Sequence, residues 1–242
     1  MDKLEPSEFE RIQKMRQDFV ANVSHELRTP LTVIRGYIET LMLTHQNDLK
    51  LHGIFEKIAE QSERMQALVE KLMQLSRIES EDPHAAETPI DIDKLLSRIE
   101  SDARNLSKHG HQLLFTTTPG LGLLGDEHEI YTAFSNLVFN AIHYTPAGGN
   151  IEIRWHSDQH NLYFSVKDTG IGIAAEHIPR LTERFYRVDK SRSRRSGGAG
   201  LGLAITKHIL MRHAAKLKIE SCLGHGSMFT CQFPIRRKCD LA

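Results

Sequence analysis

His25 is followed directly by Glu26, which sets an imidazole beside a carboxylate. A side chain with an ordinary pKa of about 6.5 is mostly neutral at pH 7 and can act as a nucleophile, with the carboxylate as proton acceptor. Thr29 and Pro30 follow within about one turn. Farther along, Asn136 and Asn140 are one helical turn apart, so their amides share a face, where they either hydrogen-bond locally or act on a ligand. Asp168-Thr169-Gly170-Ile171-Gly172 places a carboxylate ahead of a flexible turn, a pattern that alone is usually only a turn. Glu183-Arg184-Phe185-Tyr186-Arg187 combines cations with aromatics that would suit a core equally well. Gly198-Ala199-Gly200-Leu201-Gly202-Leu203 runs into a helical pattern, and a glycine loop entering a helix presents backbone N–H groups to phosphates. Each island alone is weak; their order and spacing are not.

Two long helical patterns must carry the first island. Ile12, Phe19, Val23, Leu27, Leu31, Ile34, Ile38 and Leu41 recur at near-heptad steps, and Ile54, Ile58, Gln61, Met65, Leu68, Leu72 and Leu75 do the same. His45-Gln46-Asn47-Asp48 is the polar link, so a helical hairpin is expected, each arm on the order of 45–50 Å at about 1.5 Å per residue. His25 lies two residues from both Val23 and Leu27, roughly 200° around the helix, and so faces away from the seam. Pro30 cannot donate to the Glu26 carbonyl and loosens the helix near His25. A lone hairpin cannot enclose its seam, whereas pairing with a second copy would close a four-helix bundle. The competing expectation is that the seam packs on the rest of the chain.

The domain organisation expected is residues 1–80 helical, a polar linker with two prolines at residues 81–89, and a second domain at residues 90–242. Helices are expected near residues 93–107, 127–143 and 201–213, and strands near 112–117, 150–156, 162–167, 216–221 and 227–233. That order implies an α/β sandwich with helices on one face of a sheet, and an α+β chain as a whole.

Lys and Arg number 31, as do Asp and Glu, so no global attraction to nucleic acid or anionic lipid is expected. No apolar run approaches the roughly 18–20 residues that span a bilayer. Cys222, Cys231 and Cys239 lack zinc-pair spacing and read as reduced thiols, with Cys222–Cys231 the alternative pairing. The run from Lys190 to Gly198 is basic and polar, better suited to covering a triphosphate than to binding nucleic acid.

Taken together, the five islands resemble the catalytic portion of a bacterial sensor histidine kinase. Arg16-Gln17-Asp18-Phe19-Val20-Ala21-Asn22-Val23-Ser24-His25 is most similar to the phosphate-regulon sensor kinases. The resemblance implies a dimeric four-helix bundle followed by an ATP-binding domain of the gyrase, MutL and histidine-kinase type. It implies that His25 accepts the γ-phosphoryl group of ATP, with Glu26 handling the proton and Thr29 serving a phosphatase activity on the partner. It assigns Asn140 to Mg²⁺ and Asn136 to the phosphates or the metal, and Asp168 to the adenine amino group, with Gly170 and Gly172 allowing close approach. Tyr144, Arg187, Gly198, Gly200, Leu201 and Gly202 complete the nucleotide site. His143 stands where relatives commonly have a lysine or similar group, so the phosphate contact implied there becomes weaker or pH-sensitive. Ala214-Ala215 stands where they often have glycines, a change expected to alter only a turn. Gly224-His225-Gly226-Ser227 resembles the last glycine motif of the family.

The partners implied are a second copy and the receiver domain of a response regulator, docking near Thr32, Arg35 and Glu39. The location implied is the cytoplasmic portion of an inner-membrane sensor in phosphate-starvation signalling. Two rivals remain. One is a dimeric scaffold that binds nucleotide without kinase activity. The other is an ATPase of the shared fold, which would need a glutamate base where this chain has the neutral Asn136.

Overall fold

The structure, a computed structural model, describes residues 27, 30–44, 48–80, 87–108, 110–188 and 200–241. His25, Glu26 and Thr29, the Arg16–His25 run, most of the expected linker and the run from Lys190 to Gly198 lie outside them. The chain divides into two compact units between Glu81 and Asp82.

In the first unit, residues 30–44 form helix α1 and Leu49–Ser80 form α2. Asp48 starts α2: its Oδ1 accepts from the Lys50 and Leu51 amides at 3.0 and 3.1 Å, satisfying donors that a helix start leaves open. Leu31, Val69 and Met73 form a buried cluster between the helices, and Ser62 Oγ donates to the Leu31 carbonyl at 3.5 Å. The stripe of α2 that packs within the chain is therefore Ser62, Val69, Met73 and Ser76, one step around from the expected seam. Of that seam, Leu31, Ile38 and Leu75 are buried, while Ile34, Leu41, Ile54, Ile58 and Met65 stay exposed. The hairpin thus has two apolar stripes and covers only one of them itself. Among the described residues, no helix is long and apolar enough to cross a membrane.

The second unit is built on a five-stranded sheet. Its strands are β2 (Gln112–Thr117), β4 (Asn150–Ser157), β5 (Asn161–Asp168), β6 (Lys216–Cys222) and β7 (Gly226–Pro234), in the order β2-β4-β5-β7-β6. β2 and β4 run parallel; the other neighbours are antiparallel. Helices α3 (Ile92–Ser107), α4 (Glu127–Tyr144) and α5 (Gly202–Arg212) cover one face. Asp91 caps α3 and Asp126 caps α4, each accepting from the amide three residues on, at 3.1 and 2.9 Å. Along α3 the buried Ile92, Leu95, Leu96, Ile99 and Ala103 keep helical spacing.

Alternation sorts the strands. Ile151, Ile153 and Trp155 point to the helices, as do Leu162, Phe164 and Val166, and Phe229, Cys231 and Phe233. The aromatics interlock: the Phe134 and Phe164 rings stack with centroids 3.7 Å apart, and Trp155 Nε1 donates to the Leu121 carbonyl at 2.8 Å. Glu152, Arg154, Tyr163, Lys167, Lys218 and Glu220 form the opposite, polar face.

A small antiparallel sheet extends the expectation. β1 (Thr88–Ile90), β3 (Leu121–Gly125) and β8 (Lys238–Asp240) pair in the order β1-β3-β8. Thr88 and Pro89, expected at the end of the linker, are instead strand residues, because β3 supplies an edge for them to pair with. All three cysteines are free, so the Cys222–Cys231 bond is absent. Burial pushes the Cys231 thiol well up from its ordinary pKa.

Candidate nucleotide site

Asp168 ends β5, and the two-residue period puts it in the buried row with Leu162, Phe164 and Val166. Its carboxylate is therefore carried to the helix-covered side, 5% exposed. Burial raises its pKa, opposed by the Gly170 amide, which donates to Oδ1 at 2.8 Å, and by the Ser227 amide.

The loop after it is tied on both sides. The Ile171 amide donates to the Tyr144 carbonyl at the end of α4, at 3.2 Å. The Gly224 amide donates to the Ile171 carbonyl at 2.7 Å, and the Ile173 amide to Ser221 Oγ at 2.8 Å. Ser221 Oγ in turn donates to the Gly226 carbonyl at 2.9 Å. Gly172 and Gly226 have φ of 65° and 98°, and a Cβ on either would overlap a backbone carbonyl, that of Cys222 or of Asp168. Both must be glycine for the loop and the β6–β7 turn to close on each other.

α4 supplies the amides. Asn136 and Asn140 are half-buried, one turn apart. Asn136 Nδ2 donates to the Gly202 carbonyl at 3.3 Å, which joins α4 to the first turn of α5. Leu201 is fully buried before that turn and anchors it. His143 is exposed, and its Nδ1 donates back to the Phe139 carbonyl at 2.6 Å, on its own helix. Tyr144 is half-exposed and contributes its carbonyl to the loop contact already described.

Arg187 lies between these parts in sequence. Its Nη2 is buried and has no hydrogen-bond partner among the described residues. Two residues earlier, the Phe185 amide donates to the Gly200 carbonyl at 2.9 Å, so the segments that flank residues 189–199 meet there. The structure therefore brings Asn136 together with Gly202, and Asp168 with Gly170, Gly172 and the end of α4. Sequence reasoning missed Ser221, which no motif marks, and His177, which bonds to Tyr186.

A buried acceptor, an unpartnered guanidinium nitrogen and a glycine-led helix start suit a base at one end and anionic oxygens at the other. Among the described residues, no group of three or more His, Cys, Asp or Glu side chains could hold a metal. Mg²⁺ needs no such cage, since it keeps several waters and is bound largely through phosphates.

Residues 125–237 match the family described as histidine kinase-, DNA gyrase B-, and HSP90-like ATPase, and residues 15–81 match the His Kinase A (phospho-acceptor) domain. The chain is 50% identical over 226 residues to the phosphate regulon sensor protein PhoR of Pseudomonas aeruginosa, covering 92% of this chain and 51% of the relative. It is 40% identical to PhoR of Haemophilus influenzae, covering 91% and 52%, and 38% identical to the sensor-like histidine kinase SenX3 of Mycolicibacterium smegmatis, covering 94% and 60%. The chain thus spans between half and two thirds of the length of these relatives. In fold it is similar to full-length ShkA in complex with AMPPNP, with a TM-score of 0.77 at 24% identity, over 93% of this chain and 46% of that one.

Proposed function

We propose a function from one premise: the chain belongs to the sensor histidine kinase family, as its catalytic portion. It transfers the γ-phosphoryl group of ATP to His25. A ring nitrogen of His25 forms the new bond to phosphorus, the bond from phosphorus to the bridging oxygen of ADP breaks, and Glu26 accepts the proton of the other ring nitrogen. Asp168 accepts a hydrogen bond from the adenine amino group. Gly170 and Gly172 keep side chains away from the base, and Tyr144 borders it. Arg187 and the stretch of Gly198, Gly200, Leu201 and Gly202 contact the phosphates, with His143 a secondary contact. Asn140 holds Mg²⁺, supported by Asn136; when bound, that ion neutralises phosphate charge.

One observation carries the reading. The ATPase-type unit shares a chain with a match to a phospho-acceptor domain, and position 136, where an ATPase needs a base, has an amide engaged with the Gly202 carbonyl. An amide cannot deprotonate water, so transfer to His25 is favoured over hydrolysis. The phosphoryl group then passes to an aspartate of a receiver domain, which docks by Thr32, Arg35 and Glu39; Arg35 and Glu39 pair at 3.5 Å on α1. Thr29 assists the reverse, phosphatase reaction. The uncovered stripe at Ile54, Ile58 and Met65 supports a homodimer closed as a four-helix bundle. The names of the relatives support a place in phosphate-regulon signalling. The chain acts there as the cytoplasmic portion of a membrane-anchored sensor.

Incubation with γ-labelled ATP tests the reading. Acid-labile, base-stable label that disappears in His25→Gln is the expected result. Nucleotide binding with no label, or steady phosphate release untouched by His25→Gln, would replace it with the scaffold or the ATPase.

A further inference from the structure

Phe185 has a φ of 62°, a conformation that residues other than glycine rarely adopt. Strain of this kind persists only where surrounding contacts over-determine it. Those contacts are present here. The Phe185 amide is held by the Gly200 carbonyl at 2.9 Å, and the Tyr186 amide donates to the Glu183 carbonyl at 3.3 Å. The Tyr186 side chain is fixed as well. Its hydroxyl meets His177 Nδ1 at 2.7 Å, and the Arg180 guanidinium lies 4.2 Å from the ring centroid. Arg180 is itself oriented by Glu183 at 3.2 Å. His177 and Arg180 sit on a 3₁₀ turn, Ala175–Arg180, that follows the adenine loop in sequence.

Arg187 is the next residue after this held ring, and its Nη2 is buried without a partner among the described residues. A buried guanidinium nitrogen left open calls for an anionic oxygen. We propose that His177 and Tyr186 form a clamp that fixes the backbone at Phe185 and so aims Arg187 at the phosphates of ATP. The proposal rests on the nucleotide-site reading above and adds two positioning residues to it. Neither touches the nucleotide; both act through Arg187. The hydroxyl-to-imidazole contact is the joint: without it the ring keeps its packing but loses its orientation, and Phe185 can relax to an ordinary φ.

The test compares the full chain with Tyr186→Phe, His177→Ala, His177→Asn and the double variant Tyr186→Phe/His177→Ala. Initial rates of autophosphorylation across ATP concentration should show KM raised about tenfold in Tyr186→Phe and His177→Ala, with kcat within about twofold, as expected for lost uniform binding. His177→Asn, which restores a polar group near Nδ1, should recover most of the loss. The double variant should be no worse than His177→Ala, since both changes break one contact. Apo thermal unfolding should be unchanged across the set. A KM within about twofold of the parent in both single variants would overturn the clamp, as would losses that track apo unfolding temperature without rescue by asparagine. Equilibrium binding of ATP to the same variants needs no phosphotransfer. If the parent chain bound ATP but took no label, the kinase reading would fail while the clamp would still be decided by these affinities.

Discussion

His213 is fully buried at the end of α5, and its two nitrogens are committed in opposite senses. Nδ1 donates to the Ile209 carbonyl at 2.8 Å, and Nε2 accepts from the Asp126 amide, the cap of α4, at 3.1 Å. A proton on Nε2 would break the second bond and bury a charge. Burial is the main cause that lowers its pKa from 6.5 to about 4; Arg237 and Arg212 add to this, and Ile209 and Asp126 oppose it. The folded-state pKa is depressed, so the unfolded chain binds the proton more readily. The associated stability is present above pH 6.5 and is lost as pH falls toward 4. Over the whole window the loss amounts to about 3 kcal/mol, and between pH 7 and pH 5 to about 2 kcal/mol. His213→Gln cannot titrate, while its amide oxygen remains able to accept from Asp126. The variant should be less stable at pH 7, by about 1–2 kcal/mol for the lost bond and imperfect packing. Trp155 is the single tryptophan and lies in the aromatic core, so its fluorescence follows this unit alone. Denaturant unfolding read at Trp155 should show the parent losing about 2 kcal/mol more than the variant between pH 7 and pH 5. Parallel loss in the two proteins would refute the account, because every other histidine is common to both.

Other expected outcomes follow from single positions. Asp168→Asn should weaken ATP binding at least about tenfold, or about 1.4 kcal/mol, in equilibrium titrations, while inorganic triphosphate binds as before. Because burial raises the Asp168 pKa, the affinity of the parent should start to fall at a higher pH than for an ordinary carboxylate, as protonation removes the acceptor charge. Gly226→Ala meets both a φ of 98° and the Asp168 carbonyl, so it should cost at least about 1–2 kcal/mol in the Trp155 assay and reduce ATP affinity with it. Ala214 has a φ of 53° in an exposed turn, so Ala214→Gly should stabilise the unit by about 0.5–1 kcal/mol, the relief of strain exceeding the added entropy of the unfolded chain.

What could be read in advance depended on whether a signal was local. The strand over residues 112–117 and the helix that begins at Glu127 carry their residue patterns within one short segment, and both lie where expected. The small sheet was not legible. Three-residue strands such as Thr88–Ile90 have no period to detect, and Pro89 argues for a linker until β3 is beside it. The second stripe of α2, the one that packs within the chain, was not read, because Ser62, small and polar, gives no apolar signal although it is buried under Leu31. In the nucleotide unit, Asp168 stood out by its glycines. Ser221 and His177 did not, since each works through a contact made only when distant segments meet. The Ala214 turn also went further than expected, since the absent glycine leaves real backbone strain there.

The floor beneath Asp168 is made where Gly172 meets Cys222, and Gly226 meets Asp168, peptide group to peptide group. Its contour is therefore drawn by atoms that every amino acid possesses. Exchanging neighbours such as Leu223 or His225, both exposed, redecorates the rim without reshaping the floor. An inhibitor that reads this contour would meet few escape substitutions nearby, and resistance to it would have to arise at a distance, through movement of whole segments.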